Sequence, residues 1–495
     1  MAYLSVNKPA GCRTASRGDV QGMADYVSRD SGERLRAPVD LDTDASGAVA
    51  YARTARAEIE LAGLFLAGQV RQLFLAVTDR PTPPDLVSAS GRDAAAEDPV
   101  FRRREPPNGG PFTMWEIVTF TQNAQQIRQR AAQLGIHLLG DTTHGGSAYP
   151  RLMLHCAEIA FQSAFAGEVR HTVPLPPSFR RIGRPGRGSL AAWLAAFDRR
   201  HALFEFDATS AIRLLHTDGE GVRCDRLGPV CWFYWYRQRP PDEDDLADVA
   251  ALVDEAGAGH WKVHYMSDRG DDPQRRQRWS SDDGMGSWEG TEHGLRYRFK
   301  ADQGLSPGLF LDQRRNRAWV AGHSAGRRVL NLFSYTGGFG VCAADGGAAE
   351  IVNVDTSQRT LDWSRENFAL NELDTDAVEF CPVDAGRFLE GCGKRGRDFD
   401  LIICDPPSFS RGREGVFRVD RDLWALLQRA VEVLAPGGDL LVSVNYESWD
   451  AVRFRHLVRA AVPEHIDVQA APSPDWDFEL PGQEPLLKSL ILTRS

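Results

Sequence analysis

The chain has 495 residues, 42% hydrophobic and 25% charged, with a net charge of −10. That length exceeds one ordinary core and predicts roughly two to four domains. The acidic balance excludes a generally basic coat for nucleic acid, though not a local basic groove. Eight cysteines are scattered without a CxxC pair or a His/Cys cluster at zinc spacing, so reduced thiols, a cytoplasmic location and no metal are expected. No apolar run reaches the ~18 residues of a membrane span, and MAYLSVNKPAGCRTASRGD at the N-terminus lacks the apolar core of a signal peptide.

In chain order, the first informative strings are VNKPAG (6–11), DLDTDASGAVAYART (40–54), VRQLFLAV (70–77), QQIRQRAAQLGIHLLGD (125–141) and RLMLHCAEIAF (151–161). They resemble the RluA-like pseudouridine synthases, whose core is a mixed β-sheet with a catalytic Asp in R-L-D-x-x-T-S-G. The resemblance implies an α+β domain over residues 1–175, with Asp42 at the catalytic position and Arg128 at a family arginine. Asp40 stands where that motif has Arg, and Ala45 where it has Thr. Gln72 and Phe74 replace the Lys and Tyr of K-x-Y-x-A, and Gln125 replaces a His. Asp40 beside Asp42 sets like charges together where an ion pair is expected. The expectation is a degenerate domain kept for RNA docking. An active synthase is the alternative.

LPPSFRRIGRPGRG (175–188) is rich in Pro, Gly and Arg. It reads as a linker over 176–195, and its arginines 180, 181, 184 and 187 could also meet phosphates. A small α+β middle domain is expected over 196–289. AIRLLHTD (211–218) and VCWFYWYRQ (230–238) suggest strands, and 243–257 an acidic amphipathic helix. The aromatic run Trp232–Tyr236 reads as a strand buried on both faces. Residues 268–289 read as a long polar loop with Arg275, Arg276 and Arg278.

From about residue 328 strand and helix alternate, the pattern of an α/β, Rossmann-like doubly wound parallel sheet. RVLNLFSYTGGFGV is a strand followed by a turn in which Gly337, Gly338 and Gly340 let the backbone approach a ligand. EIVNVD ends in Asp355, 18 residues past Gly337, where an acid commonly binds ribose hydroxyls. Residues 358–371 read as a helix. VEFCPVD ends in Asp384, placed to accept an adenine amine. LIICDPPSFS (401–410) turns rigidly at Pro406 and Pro407, which sets Asp405 and the aromatic Phe409 at a strand's carboxyl edge. LLVSVNYES (440–448) is a fifth strand after the turn APGG. The glycine turn does not match G-x-G-x-x-G of nicotinamide binders, and no second phosphate loop exists. One loop, two strand-end acids and D-P-P-x-F fit S-adenosylmethionine.

GLFLDQRRNR (308–317), VLNLFSYTGGFGV, VDTSQRTLDWSRENFALN, DLIICDPPSFS and FRVDRDLWALLQ (417–428) resemble the class I rRNA methyltransferases. The nearest likeness is to the guanine-N7 methyltransferase half of the bifunctional 23S rRNA enzyme, followed by the 23S rRNA cytosine-C5 methyltransferases. The resemblance implies a methyltransferase domain over 290–495 acting on 23S rRNA or a large-subunit assembly intermediate. Asp312, Gln313 and Arg314 would flank the cofactor's methionine end. Ser334, Tyr335 and Gly337 would cradle it, Asp355 would bind ribose and Asp384 adenine. Asp405, Pro406, Pro407 and Phe409 would line the base pocket, with Asn445 donating to guanine O6.

Cytosine C5 is a poor nucleophile and needs a cysteine adduct at C6 first. The cytosine relatives carry that Cys in Ser-Cys-Ser-Tyr, where this chain has Ser443, Val444, Asn445 and Tyr446. Cys404 lies inside an apolar strand, where an inert thiol is expected. Guanine N7 is therefore the favoured target. A second uridine-isomerising activity, cytosine-C5 chemistry and a non-catalytic ribosome-assembly role remain as alternatives.

Overall fold

The computed structural model describes residues 2–15, 22–80, 99–107, 109–120, 124–183, 188–202, 209–266, 277–304, 306–412, 415–472, 474–480 and 483–495. The chain divides into two compact units. One comprises residues 1–205, 214–224 and 235–257, the other residues 206–213, 225–234 and 258–495. This differs from the expected three domains and linker.

In the first unit, β1 (Tyr3–Lys8), β2 (Ser46–Ala52), β3 (Arg71–Thr78), β4 (Val100–Arg104), β5 (Thr113–Thr119), β6 (Leu154–Ser163) and β7 (Gly167–Thr172) form one sheet. Its order is β1-β2-β6-β3-β5-β4, with β7 on β6. β2 and β6 are parallel and the other pairs antiparallel, so the sheet is mixed. Every residue of β2 is buried. The β2–β6 approach needs Gly47, whose φ is +123° and whose Cβ would lie 2.1 Å from the Cys156 carbonyl oxygen. Helices α1 (Met23–Ser31), α2 (Ala55–Leu66) and α3 (Ala124–Gln133) complete this part.

The Pro/Gly/Arg stretch is less of a linker than its composition suggests. α4 (Pro177–Arg180) and α5 (Leu190–His201) are helical, and Phe179, Trp193 and Phe197 are buried. Arg180 and Arg181 pair with Glu255, at the end of α6 (Glu243–Glu255). Arg184 and Arg187 lie outside the described residues, as do Arg275 and Arg276.

Residues 211–280 supply β8 (Ala211–Leu215), β9 (Val222–Leu227), β10 (Val230–Trp235), β11 (His260–Tyr265) and β12 (Arg278–Ser280), ordered β12-β11-β10-β9-β8. Val230 to Phe233 and Trp235 are buried, so the aromatic run is core. The expected loop is in part strand: Arg278 begins β12, and β13 (Ser287–Glu292) pairs antiparallel with β14 (Leu295–Lys300).

In the second unit, α7 (Arg314–Gly322) precedes β15 (Arg328–Leu332), α8 (Gly338–Asp345), β16 (Glu350–Asp355), α9 (Gln358–Leu370), β17 (Val378–Pro382), α10 (Ala385–Arg395) and β18 (Phe399–Cys404). The hairpin β19 (Phe409–Gly412) and β20 (Gly415–Arg418) follows, then α11 (Val419–Glu432), β21 (Leu434–Val444), α12 (Ala451–Ala461), β22 (Ile466–Ala470) and β23 (Lys488–Arg494). The sheet order is β17-β16-β15-β18-β21-β23-β22. The first five strands are parallel, and β23 is antiparallel to both neighbours. Strand order reverses at β15 and β18, so ligands are expected outside their carboxyl ends. The fifth strand starts at Leu434, not after the APGG turn. Its partner on Phe399 is Leu434 and on Leu401 is Asp439, so Ala435–Gly438 are taken up in a bulge.

Arg314 is fully buried and does not reach the cofactor side, which corrects one expectation. Its guanidinium donates to Asp475 at 3.0 Å, to both oxygens of Asp477 at 3.0 and 3.1 Å, and to the Ala211 carbonyl at 2.8 Å. Removing one partner of a buried pair strands the other charge, at a cost of about 3–5 kcal/mol. Arg314→Met should lower unfolding free energy by about that amount in urea titration. A loss under about 1 kcal/mol would contradict the anchoring role.

Candidate active site

Five parallel strands leave the sheet on one edge, and the side chains just past their ends converge on a cavity of about 1710 Å³. It is lined after β15 by Phe333, Ser334, Tyr335 and Thr336, and at the last residue of β16 by Asp355. Asp384 follows β17, Asp405, Pro406 and Pro407 follow β18, and Asn445 follows β21. Asp312, Gln313 and Arg317 close it from the turn and helix that precede β15. Ligand pockets usually measure about 300–1,000 Å³, so this one has room for two ligands side by side.

The β15 turn is held in a conformation that ordinary residues avoid. Phe333 and Tyr335 have φ of +56° and +47°, each costing roughly 1–3 kcal/mol. Asp355 holds the turn in place. Its Oδ2 accepts the Tyr335 amide at 3.0 Å, and its Oδ1 accepts the Ser357 amide at 2.9 Å and the Thr360 hydroxyl at 3.1 Å. The Tyr335 hydroxyl donates to the Ser306 carbonyl at 2.9 Å, and burial pushes its pKa up to about 12. Gly337, with φ of +77°, precedes α8 directly. A Cβ there would lie 1.9 Å from Ser364 Oγ, so only glycine fits. Gly337 thus shapes the turn without lining the cavity. Asp384 caps α10 by accepting the Arg387 amide at 3.1 Å.

The other half of the cavity centres on two carboxyls. Burial pushes the Asp405 pKa up to about 7, and the charge of Asp312 adds to the shift. A hydrogen bond from Gln313 and the Arg317 charge oppose it. Asp312 is raised by burial as well, against the pull of Arg213 and Arg317. Asn445 Nδ2 donates weakly to Asp312 at 3.4 Å. Gln313 Oε1 accepts from Asn316 at 2.6 Å, and Asn316 also donates to Ser489 at 2.9 Å, which fixes the amide facing Asp405. The Ser408 hydroxyl donates to the Asn445 carbonyl at 2.6 Å and ties the Pro-Pro turn to the exit of β21.

Ten of the thirteen expected site residues border the cavity. The other three are Arg314, Gly337 and Phe409. Phe409 starts the hairpin and is 53% exposed. Its place on the wall is taken by Phe417, whose ring lies 5.6 Å from that of Phe333. Arg317 stands where Arg314 was expected, one helical turn further on. It is buried and held in two-pronged contact by Glu292 at 2.6 and 2.7 Å. Cys404 is fully buried, and burial raises its pKa far above the ordinary thiol range. Val444 is buried too, and no cysteine appears among the lining residues.

A family model described as S-adenosylmethionine-dependent methyltransferase matches residues 239–467. The "Putative ribosomal RNA large subunit methyltransferase YwbD" of Bacillus subtilis (strain 168) is 32% identical over 279 residues, 54% of this chain and 69% of that protein. The chain belongs to the S-adenosylmethionine-dependent methyltransferase family. "Ribosomal RNA large subunit methyltransferase K" of Neisseria meningitidis serogroup B (strain ATCC BAA-335 / MC58) is 44% identical over 183 residues, 35% of this chain. The chain spans about half of that relative's length, 52%. A crystal structure of a "putative methyltransferase complexed with SAH" aligns with a TM-score of 0.53 and 25% identity, covering 68% of this chain and 88% of that one.

The residues present fit the family's cofactor. Ser334 Oγ lines the cavity, is buried and has no hydrogen-bond partner among the described residues, an arrangement that calls for a ligand. Gly338 keeps the neighbouring wall free of side chains. Asp355 and Asp384 offer acceptors at successive strand ends, as a ribose diol and an adenine amine require. Asp355 already accepts two backbone amides and shares the one Thr360 hydroxyl proton with the Ser357 carbonyl, 2.8 Å from that hydroxyl, which leaves about one to two of its roughly four acceptor sites for a ligand.

Asp405 links this site to stability. Its folded pKa of about 7 lies above the ordinary value of 3.8, so the folded state holds a proton that the unfolded chain releases. Stability is therefore lost as pH rises from about 4 to about 7 and stays lost above. Asp405→Asn should gain little at pH 4 and on the order of 1–4 kcal/mol at pH 8. Thermal unfolding across that range checks it. A difference from wild type that does not change with pH would contradict the shift.

Proposed function

We propose that this protein transfers a methyl group from S-adenosylmethionine to N7 of a guanine in large-subunit (23S) ribosomal RNA, in the cytoplasm. The observation that carries the choice of atom is the site's lack of a reachable thiol. Val444 fills the place of the cytosine enzymes' cysteine, and Cys404 is sealed in β18. The RNA class is supported by the relatives, both named as large-subunit ribosomal RNA methyltransferases. An assembly intermediate of that subunit could equally present the base.

The cofactor, when bound, supplies an electrophilic methyl on a sulfonium. Ser334, Tyr335, Asp355 and Asp384 would hold it, with Asp312 and Gln313 at its amino-acid end. Guanine N7 already carries a lone pair, so no proton has to leave before attack, and orientation supplies most of the rate. Asp405, when ionised, accepts from the guanine N1–H and N2 amine. Asn445 donates to O6 by giving up its long contact to Asp312. Pro406, Pro407 and Phe417 form the wall. Since Asp405 must be charged to accept, kcat/KM should rise through about pH 7 and then level off. Asp405→Ala should cut kcat by orders of magnitude while cofactor affinity holds.

Borohydride and aniline cleavage of large-subunit rRNA treated with the enzyme reports N7-methylguanosine at a single nucleotide. Trapping of the protein on 5-fluorocytosine RNA, with no cleavage signal, would overturn the reading in favour of cytosine C5.

For the first unit we propose RNA docking without uridine isomerisation. Asp42 is engaged by Arg128 at 2.7 Å, and the same guanidinium binds Asp141 at 2.8 and 2.9 Å. Phe74, in place of the tyrosine, is buried and offers no hydroxyl. Tritium release from 5-labelled uridine in rRNA should stay at background. Release that Asp42→Asn abolishes would contradict the proposal.

A further inference from the structure

Behind the cavity wall lies a chain of polar side chains to which the proposed reaction gives no part. Gln313 lines the cavity, whereas Asn316, Ser443 and Ser489 do not. Asn316 is buried in the first turn of α7, three positions after Gln313 and so on the same side of the helix. Its Nδ2 donates to Gln313 Oε1 at 2.6 Å and to Ser489 Oγ at 2.9 Å. Ser489 in β23 pairs in register with Ser443 in β21, and their hydroxyls lie 2.9 Å apart. The sheet thus holds Asn316, and Asn316 holds Gln313. With Oε1 occupied, the N–H end of the Gln313 amide is the one that hydrogen-bonds Asp405.

This orientation has a cost that a merely structural asparagine would avoid. Asn316 Oδ1 is buried and has no hydrogen-bond partner among the described residues. Turning the amide over would let Oδ1 accept from Ser489, since a hydroxyl donates as well as accepts. It would also set Oδ1 against Oε1, two acceptors, and force Gln313 to turn as well, with Oε1 facing Asp405. An oxygen at that place favours the protonated acid, and an N–H favours the carboxylate. We infer that Asn316 is a positioning residue for the methyl-transfer site: it holds Gln313 with the N–H end toward Asp405, and so decides in which protonation form Asp405 meets the base. This rests on the reading above of Asp405 as the carboxylate that accepts from guanine. Asn316 does not reach the cavity and acts through Gln313. The charged groups that face Asp405 are Asp312, in the turn before α7, which opposes ionisation, and Arg317, in α7, which favours it. Cys404, its titratable neighbour in β18, is kept neutral by burial.

The test uses the full-length protein with 13C at its aspartate carboxyls, the Asp405 signal being the one lost in Asp405→Asn. Asn316→Asp keeps the shape but offers only acceptors, so Gln313 has to donate to it and turn Oε1 toward Asp405. The Asp405 midpoint should then rise by about 1–2 in pH, the loss of one hydrogen bond to a carboxylate. Asn316→Leu and Asn316→Ala bring no charge of their own and should raise the midpoint by about 0.5 or more. The pH at which kcat/KM for a large-subunit rRNA fragment is half-maximal should move with it. Unchanged midpoints, with only thermal stability lowered, would make Asn316 a packing residue and overturn the inference. A rise confined to Asn316→Asp overturns it too, because the added charge alone explains that. If wild type methylates no RNA, the functional reading fails by itself, and the carboxyl midpoints, read without RNA, still decide whether Asn316 places Gln313.

Discussion

Because β17, β16, β15, β18 and β21 run parallel, their carboxyl ends open on one edge of the sheet. Residues that are over a hundred positions apart in the chain meet there without any long loop. Leu332 pairs with Val354 on one side and Cys404 on the other. The residues that follow, Phe333, Asp355 and Asp405, are therefore presented at similar height. The contorted β15 turn depends on that register, since Asp355 can accept the Tyr335 amide only if β16 ends beside β15. The same carboxylate also binds the Ser357 amide at the start of α9, so one side chain couples the turn, the strand end and a helix.

The site is built at the expense of stability. Two bulky residues sit at positive φ, and Asp405, half-buried, is raised further by the charge of the half-buried Asp312. Elsewhere the same unit buries its charges in matched pairs, Arg317 with Glu292 and Arg314 with Asp477. Strained backbone and mutually repelling acids are expected where geometry serves a ligand. The contrast between the paired charges of the scaffold and the raised carboxyls at the edge marks that edge as the candidate site without reference to any relative.

The strand-end acids were legible because strand, turn and helix repeat in order and each acid falls at a fixed place in the repeat. Helical phase was not legible in DQRRNR. Two arginines three positions apart look equivalent in sequence, and packing sends Arg314 to Asp477 and Arg317 to the cavity. Phe409 was misplaced for a similar reason. Pro-Pro announces a turn, but SRGREG gives no sign that a hairpin follows, and its alternation turns Phe409 outward and Phe417 inward. Composition also misled at 176–195, where Pro, Gly and Arg outweighed the apolar run LAAWLAAF that packs Trp193 and Phe197 into a core. The aromatic strand at 230–235 and the acidic helix at 243–255 followed their hydrophobic pattern closely.

The central claim is that this one edge of the sheet holds S-adenosylmethionine beside the Asp405 pocket. Amide hydrogen exchange with and without S-adenosylhomocysteine tests it most directly. The account predicts slowed exchange confined to residues 333–340, 355–360 and 384–388, with smaller effects at 312–317 and 405–408. Protection that spares 333–340, or that falls mainly within residues 1–180, would contradict it.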